Sequence, residues 1–277
     1  MHGAAAVPHT GTVKRNVRAW MRAEVVEGTE VALLVAVSRA PIAEEELTVT
    51  AGGEPASVVE SRDPAGNRLH VLGPLPAGTL EITYTATGVE PAPVQEPEPV
   101  DAVVHLRPSR YCEVDEFGRI APEVVGDRTG LDAARAVVDW VHGHLDYVPG
   151  SSTISDSARS TYVSRQGVCR DYAHLTATLL RASGIPARCT SVYAPGLSPM
   201  DFHLVVEALV EGSWRVLDAT HLAPRASMVA IASGQDAAET AFMTTLTGDV
   251  QLTAMQVSAV VDPELPVERW DEPVVLR

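Results

Sequence analysis

The feature that most limits how this chain can fold is a change of hydrophobic period on either side of one proline-rich stretch. Before it, Val17, Ala19, Met21, Ala23 and Val25 alternate with mostly polar neighbours, and Leu80, Ile82, Tyr84 and Ala86 alternate with Glu81, Thr83 and Thr85. A period of two belongs to a strand with one buried face. Shorter apolar runs lie between them at Val31 to Val37, Leu47 to Thr50, Val58-Val59 and Leu69 to Leu72. Turn clusters such as Ala51-Gly52-Gly53 and Asp63-Pro64-Ala65-Gly66-Asn67 separate these runs. The pattern predicts a β-sandwich. Residues 89–100, VEPAPVQEPEPV, hold four prolines and three glutamates, which favour an extended, solvated linker. Beyond it Leu131, Ala134, Val138, Val141 and Leu145 fall on one helical stripe, with Thr129 or Asp127 available as a cap. The expected organisation is an N-terminal β-sandwich domain over residues 1–100, with its linker at 89–100, and an α+β domain over residues 101–277.

Composition removes several classes of function. The 277 residues are 45% apolar and 21% charged, a globular balance. Lys and Arg number 21 against 36 Asp and Glu, giving a formal charge of −15, which repels phosphate backbones and anionic lipid. Neither nucleic acid nor a membrane surface is an expected partner. The longest apolar run, Val31 to Val37, is far short of the roughly 20 residues that span a bilayer. The N-terminus also shows no charged start followed by an apolar signal core. The expectation is a soluble protein of the cytoplasm. Its three cysteines, Cys112, Cys169 and Cys189, are an odd number and predict free thiols. CxxC, HExxH, GxGxxG and GxxxxGK[ST] are all absent, and His142 and His144 point to different faces of a helix. No metal and no cofactor are therefore expected.

Chemistry concentrates in Ser164 to Arg188, where Gly167 precedes a helix with the stripe Cys169, Ala173, Ala177 and Leu180, stopped by Gly184 and Pro186. Cys169 falls in the first turn, where free N–H groups and the helix dipole favour a thiolate. A lone cysteine is also a common buried apolar residue, so position alone does not decide its role. Two strands follow, Phe202 to Val210 and Trp214 to Asp218, joined across Glu211-Gly212-Ser213 as a hairpin. A two-residue loop makes paired residue numbers sum to 425 or 423, which puts His203 and Asp218 on one face without being directly opposite. A carboxylate that fixes an imidazole, and an imidazole that activates a thiol, need these three residue types. Each also has an ordinary reading, the histidine as a packed strand residue and the aspartate as a turn former. Asp171 and His174 read as a helix-start carboxylate and an ordinary histidine, and His221, past the strand end, is a weaker alternative base.

Gly167-Val168-Cys169-Arg170-Asp171-Tyr172-Ala173-His174-Leu175, followed by Gly184-Ile185-Pro186-Ala187-Arg188, resembles the cysteine helix of the transglutaminase-like superfamily. Phe202 to Glu207 resembles its histidine strand and Trp214 to Thr220 its aspartate strand. Leu222 to Thr245 and Arg107 to Cys112 resemble a bacterial branch that carries an N-terminal β-domain. The resemblance implies a papain-like catalytic domain in which Cys169 attacks an acyl group, His203 shuttles the proton and Asp218 orients His203. Two departures are visible: Asp218-Ala219-Thr220 stands where the family often has Asp-Pro-Thr, and His203-Leu204-Val205 where an aromatic often follows His-Ala. The expected reaction is hydrolysis of an amide or peptide bond through a Cys169 thioester, on a peptide, protein or small amide. Transamidation between glutaminyl and amine groups, or a non-catalytic binding module on the same fold, are the alternatives. The backbone N–H of Cys169 belongs in an oxyanion hole. Gln166, Tyr162 and Tyr111 are candidates for the second donor, with no choice among them. Cys112 and Cys189 read as buried apolar groups.

Overall fold

Alternation builds the first part of the molecule. The computed structural model describes residues 13–277, so residues 1–12 of the expected first domain lie outside the described residues. Among the described residues seven strands precede the linker: β1 (Lys14–Val25), β2 (Thr29–Leu33), β3 (Glu44–Ala51), β4 (Glu54–Pro55), β5 (Val58–Arg62), β6 (Arg68–Leu75) and β7 (Gly78–Val89). In β1 and β7 the predicted apolar positions are the buried ones, from Val17 to Val25 and from Leu80 to Ala86. After the linker come α1 (Asp101–Val104), α2 (Ile120–Val125), α3 (Gly130–His144), β8 (Asp146–Tyr147), α4 (Ala158–Ser164), β9 (Gln166–Gly167) and α5 (Cys169–Ala182). The rest of the chain forms β10 (Ala187–Tyr193), β11 (Phe202–Val210), β12 (Ser213–Leu217), β13 (Val229–Gly234), α6 (Ala237–Thr240), β14 (Met243–Thr247) and β15 (Val250–Asp262). The fold is α+β: a β-sandwich joined to a papain-like unit.

The sandwich packs a sheet of order β15-β1-β7-β3-β4 against one of order β14-β2-β6-β5. The division at residue 101 therefore needs correction. The chain leaves the sandwich at the linker and returns to it, β14 pairing with β2 and β15 running antiparallel to β1 from Lys14↔Asp262 to Val25↔Val250. Without β15, twelve-residue β1 would show a long unpaired edge to solvent, which folded sheets avoid. Most of β15 is exposed, with Val257 and Ala259 its buried residues, so its apolar pattern is weak in the sequence.

The second unit is a sheet of order β12-β11-β10-β13 with α5 packed on β10 and β11. Helix α5 is buried from Asp171 to Arg181, so it is the central helix of this core and carries more than a single apolar stripe. Thr129 takes the cap position of α3, although its side chain makes no capping bond. A smaller core lies around Val192, Val205 and Val216. The C-terminal segment covers it with Leu276, and Val274 O accepts from Val216 N at 2.8 Å.

The run Val31 to Val37 explains how the units join. Strand β2 ends at Leu33, and Leu34 to Val37 continue as irregular chain that is still buried. Tyr193 of the second sheet donates its hydroxyl to Val35 O at 2.7 Å, and Tyr193, Val229 and Ile231 share the sandwich's core. Arg39 reaches across to Glu207, and Asn67 exchanges two 2.8 Å hydrogen bonds with the backbone of Ser233. A continuous apolar run here marks a segment buried between two sheets.

Candidate active site

The N-terminus of α5 is fixed before any chemistry is considered. Asp171 turns back to accept from Val168 N at 2.8 Å and from Ser152 Oγ at 3.0 Å, which orders the first turn. Its carboxylate passes so close to residue 167 that a Cβ there would lie 2.5 Å from Asp171 Cβ, so glycine is required. Cys169, the first helical residue, is half-buried and lines a cleft of about 410 Å³ together with His203.

The hairpin takes one of the two expected registers, with Glu211-Gly212 as its loop. Val210 pairs with Ser213, so the numbers sum to 423, and Glu211 and Gly212 both hold positive φ, 53° and 71°. Two left-handed residues form the turn whose twist suits a two-residue hairpin. His203 and Asp218 then meet diagonally, and His203 Nε2 donates to Asp218 Oδ2 at 2.9 Å with both side chains 1% exposed. Asp218 Oδ1 accepts from Thr220 N at 2.9 Å and Thr220 Oγ1 at 2.7 Å, so both carboxylate oxygens are occupied. The Ala219 departure leaves this arrangement intact, because Thr220 is the residue that holds the carboxylate.

His203 Nδ1 has no hydrogen-bond partner in the fold, and the neighbour that acts on the ring besides Asp218 is the Cys169 thiol. Burial favours the neutral imidazole, but the charge and hydrogen bond of Asp218, with the sulfur of Cys169, outweigh it and raise the pKa to about 10. Burial would likewise raise the Asp218 carboxyl, yet His203 and Thr220 hold it below its ordinary range. A protonated imidazole on an ionised carboxylate, with one N–H still unused, is the state these groups favour.

The structure brings Cys169, His203 and Asp218 together and leaves the other candidates apart. His221 is stacked between His142 and Trp270, at centroid distances of 4.1 and 4.0 Å, and does not line the Cys169 cleft. His174 accepts from Ala237 N at 3.1 Å within the core, where burial lowers its pKa to about 3. Cys112 and Cys189 are buried free thiols. Among the candidate donors, Tyr111 lines the cleft but gives its hydroxyl to Ile154 O at 2.9 Å. Tyr162 stacks on Trp140, and Gln166 is exposed.

A residue that sequence reasoning missed stands beside Cys169. Strands β8 and β9 pair in parallel, Asp146↔Gln166 and Tyr147↔Gly167, which sets Tyr147 beside the residue two positions before Cys169, close enough for Cys169 to act on its phenol. Burial and the neighbouring sulfur push this phenol up to about 12, so it stays a donor at neutral pH. A two-residue parallel pairing leaves no periodic trace in a sequence. Among the described residues, no group of three or more metal-ligating side chains is gathered, and no helix is long and apolar enough to cross a membrane.

The sequence model of the Transglutaminase-like superfamily matches residues 118–219, a span that holds Cys169, His203 and Asp218. A crystal structure of a provisionally named cysteine protease from Cytophaga hutchinsonii is 31% identical, covers 95% of each chain and superposes with a TM-score of 0.86. The chain belongs to the transglutaminase-like superfamily. That membership supports a cysteine-dependent enzyme at the level of the family. Relatives named only as uncharacterized proteins include one from Mycobacterium leprae, 33% identical over 89 residues, and one from Mycobacterium tuberculosis, 33% identical over 73 residues. The aligned stretch spans 32% of this chain and 32% of the first relative, and 26% of this chain and 23% of the second.

Proposed function

We propose that the protein is a cysteine-dependent acyl-transfer enzyme that hydrolyses amide or peptide bonds through a thioester on Cys169. One observation carries the reading: His203 is fixed through Nε2 by Asp218 and keeps Nδ1 unpaired beside the Cys169 thiol. The sulfur attacks the substrate carbonyl carbon, and His203 gives its proton to the departing amine. Water then attacks the thioester while His203 takes the water's proton, and the carboxylic acid leaves with the thiolate restored. Asp218 orients the ring and stabilises its charged form. The negative oxygen formed in each step meets the N–H of Cys169 and the hydroxyl of Tyr147, which is the second donor in this reading.

The substrate is a peptide, a protein or a small amide; the charge of −15 argues against nucleic acid. The cytoplasm is the proposed compartment, since three cysteines, an odd number in a long chain, fit free thiols better than a disulfide framework. Digestion of an unbiased peptide library by wild type and by Cys169→Ala tests the reading. Cleavage by wild type alone supports it. Incorporation of a labelled amine in place of acid release would replace hydrolysis by transamidation. An intact wild-type fold with no cleavage and no reaction with a thiol-directed acyl probe would leave a binding module.

A further inference from the structure

We infer that the β-sandwich builds one wall of the substrate pocket and thereby selects acyl donors with a large apolar side chain at the residue supplying the scissile carbonyl. The inference rests on the acyl-transfer reading and adds a substrate class and a role for the sandwich. The cleft that opens on Cys169 and His203 runs between the two units. Its near wall is Phe202, next to His203, stacked on Phe242 with ring centroids 5.1 Å apart, and Ile231 of β13. Its far wall is Leu34, which follows β2, with Met243 of β14 and Met255 of β15. The far wall thus depends on strands that return from the end of the chain, Met243 opposite Leu33 and Met255 opposite Met21.

Phe202, Phe242, Met243 and Met255 are only half-buried, so they present apolar surface to the cleft that an entering side chain would cover. Methionine also adapts to side chains of different shape. Ile154, on the lip, is 89% exposed, which extends the apolar surface outward from the nucleophile.

Besides His203, whose ring is held by Asp218, two charged residues line this space, and neither suits an anionic side chain. The Arg170 guanidinium donates to Thr153 O at 3.0 Å and Ile154 O at 3.3 Å, lies 3.5 Å from Asp171 Oδ1 and covers the Tyr111 ring at 4.4 Å, so it is committed. Asp201, at the mouth, has the same sign as an acidic substrate, and its Oδ1 accepts from Phe202 N at 2.7 Å. A glutamate side chain buried against Phe242 and Met255 would lose its hydration beside a carboxylate of like charge, and a lysine could meet Asp201 only by keeping its ammonium at the mouth, off this apolar lining.

The test uses the full-length Cys169→Ala chain, in which binding is measured without turnover. Blocked hexapeptides carrying Leu, Phe, Ala, Glu or Lys at one central position are titrated by calorimetry. Leu and Phe peptides are expected to bind at least about tenfold tighter than Glu or Lys peptides. Met243→Asp, or the milder Met255→Gln if the first variant unfolds, is expected to reduce that ratio severalfold. Equal affinities for all five peptides, a preference for a charged residue, or a ratio unmoved by a folded variant would overturn the inference. Library cleavage by wild type is scored separately: cleavage without the apolar preference defeats only the pocket, whereas the apolar preference without cleavage defeats only the acyl-transfer reading.

Discussion

Strand β11 carries two buried charge clusters, at His203 and at Glu207, and they differ in how much bonding capacity they leave free. Glu207 accepts from Arg39 and from Arg188 Nε at 2.9 Å, from Thr190 Oγ1 at 2.7 Å and from Ser233 Oγ at 3.4 Å. Its side chain and that of Arg188 are 2% and 4% exposed, and Arg188 is also stacked 4.0 Å from the Trp214 ring. Such a cluster has nothing left to offer a substrate, and its Arg39 arm ties the sandwich to the second sheet. His203 is equally buried and equally well held by a carboxylate, but Nδ1 is unpaired and faces a thiol. Burial and pairing alone therefore do not distinguish a reactive site from a structural tie; an unpaired atom set beside the Cys169 sulfur does.

Breaking the His203 cluster should give the largest effect, and on rate. His203→Ala is expected to lower kcat/KM about 10²- to 10⁴-fold, measured on the peptide that wild type cleaves best. In the wild type the proton needed by the leaving amine sits on a group raised to about 10, so kcat/KM should fall as pH rises through that value. Asp218→Asn removes the carboxylate charge that raises His203, and the alkaline limb should move to lower pH. An unmoved limb would assign the proton to another residue.

Breaking the Glu207 cluster should instead appear in stability. Glu207→Gln leaves Arg188 and Arg39 without their counter-charge, a loss of about 3–5 kcal/mol expected in urea unfolding. The rate per folded molecule should change far less than in His203→Ala, which makes the two variants a direct test of the contrast.

How much of this was legible before the structure follows from the range of each interaction. The alternation in β1 and β7 and the hairpin register are local, and they place His203 and Asp218 on one face from residue numbers alone. Asp171 capping Val168 is also local. Three features depend on chain segments meeting from far apart. Tyr147 reaches Cys169 through two residues of parallel pairing, β15 closes the edge of β1 with a mostly exposed pattern, and Leu34 to Val37 continue the burial of β2 as irregular chain because the second sheet covers them. None of these contacts imposes a period on the sequence.

Tyr147 sharpens the contrast, since a donor that acts on a transient oxygen should matter for rate and little for stability. Tyr147→Phe keeps the ring, which is tilted against Tyr172 at 5.9 Å, and removes only the hydroxyl. A fall of about 10²-fold in kcat with nearly unchanged KM is the expected result. A change confined to KM would make Tyr147 a binding residue and return the second donor to the backbone.

The smallest effect separates a charged tie from a neutral one at the same interface. Asn67 is 3% exposed and bonds both the N–H and the carbonyl of Ser233, while Glu207 reaches Ser233 through its hydroxyl. Asn67→Ala leaves two buried backbone groups unpaired, and a loss of about 1–3 kcal/mol is expected. The two ties should part on acidification. Burial alone would raise the Glu207 carboxyl, but Arg39 and Arg188 lower it from 4.5 to about 2. Its contribution is therefore complete above the ordinary glutamate range and is lost as pH falls toward 2. The amide of Asn67 does not titrate, so unfolding curves of Asn67→Ala should run parallel to wild type over that interval. Those of Glu207→Gln should converge on wild type as pH falls, because protonation has already discharged the carboxylate in the native protein. Parallel curves for both variants would mean that Glu207 acts through packing and hydrogen bonds, with little contribution from its charge.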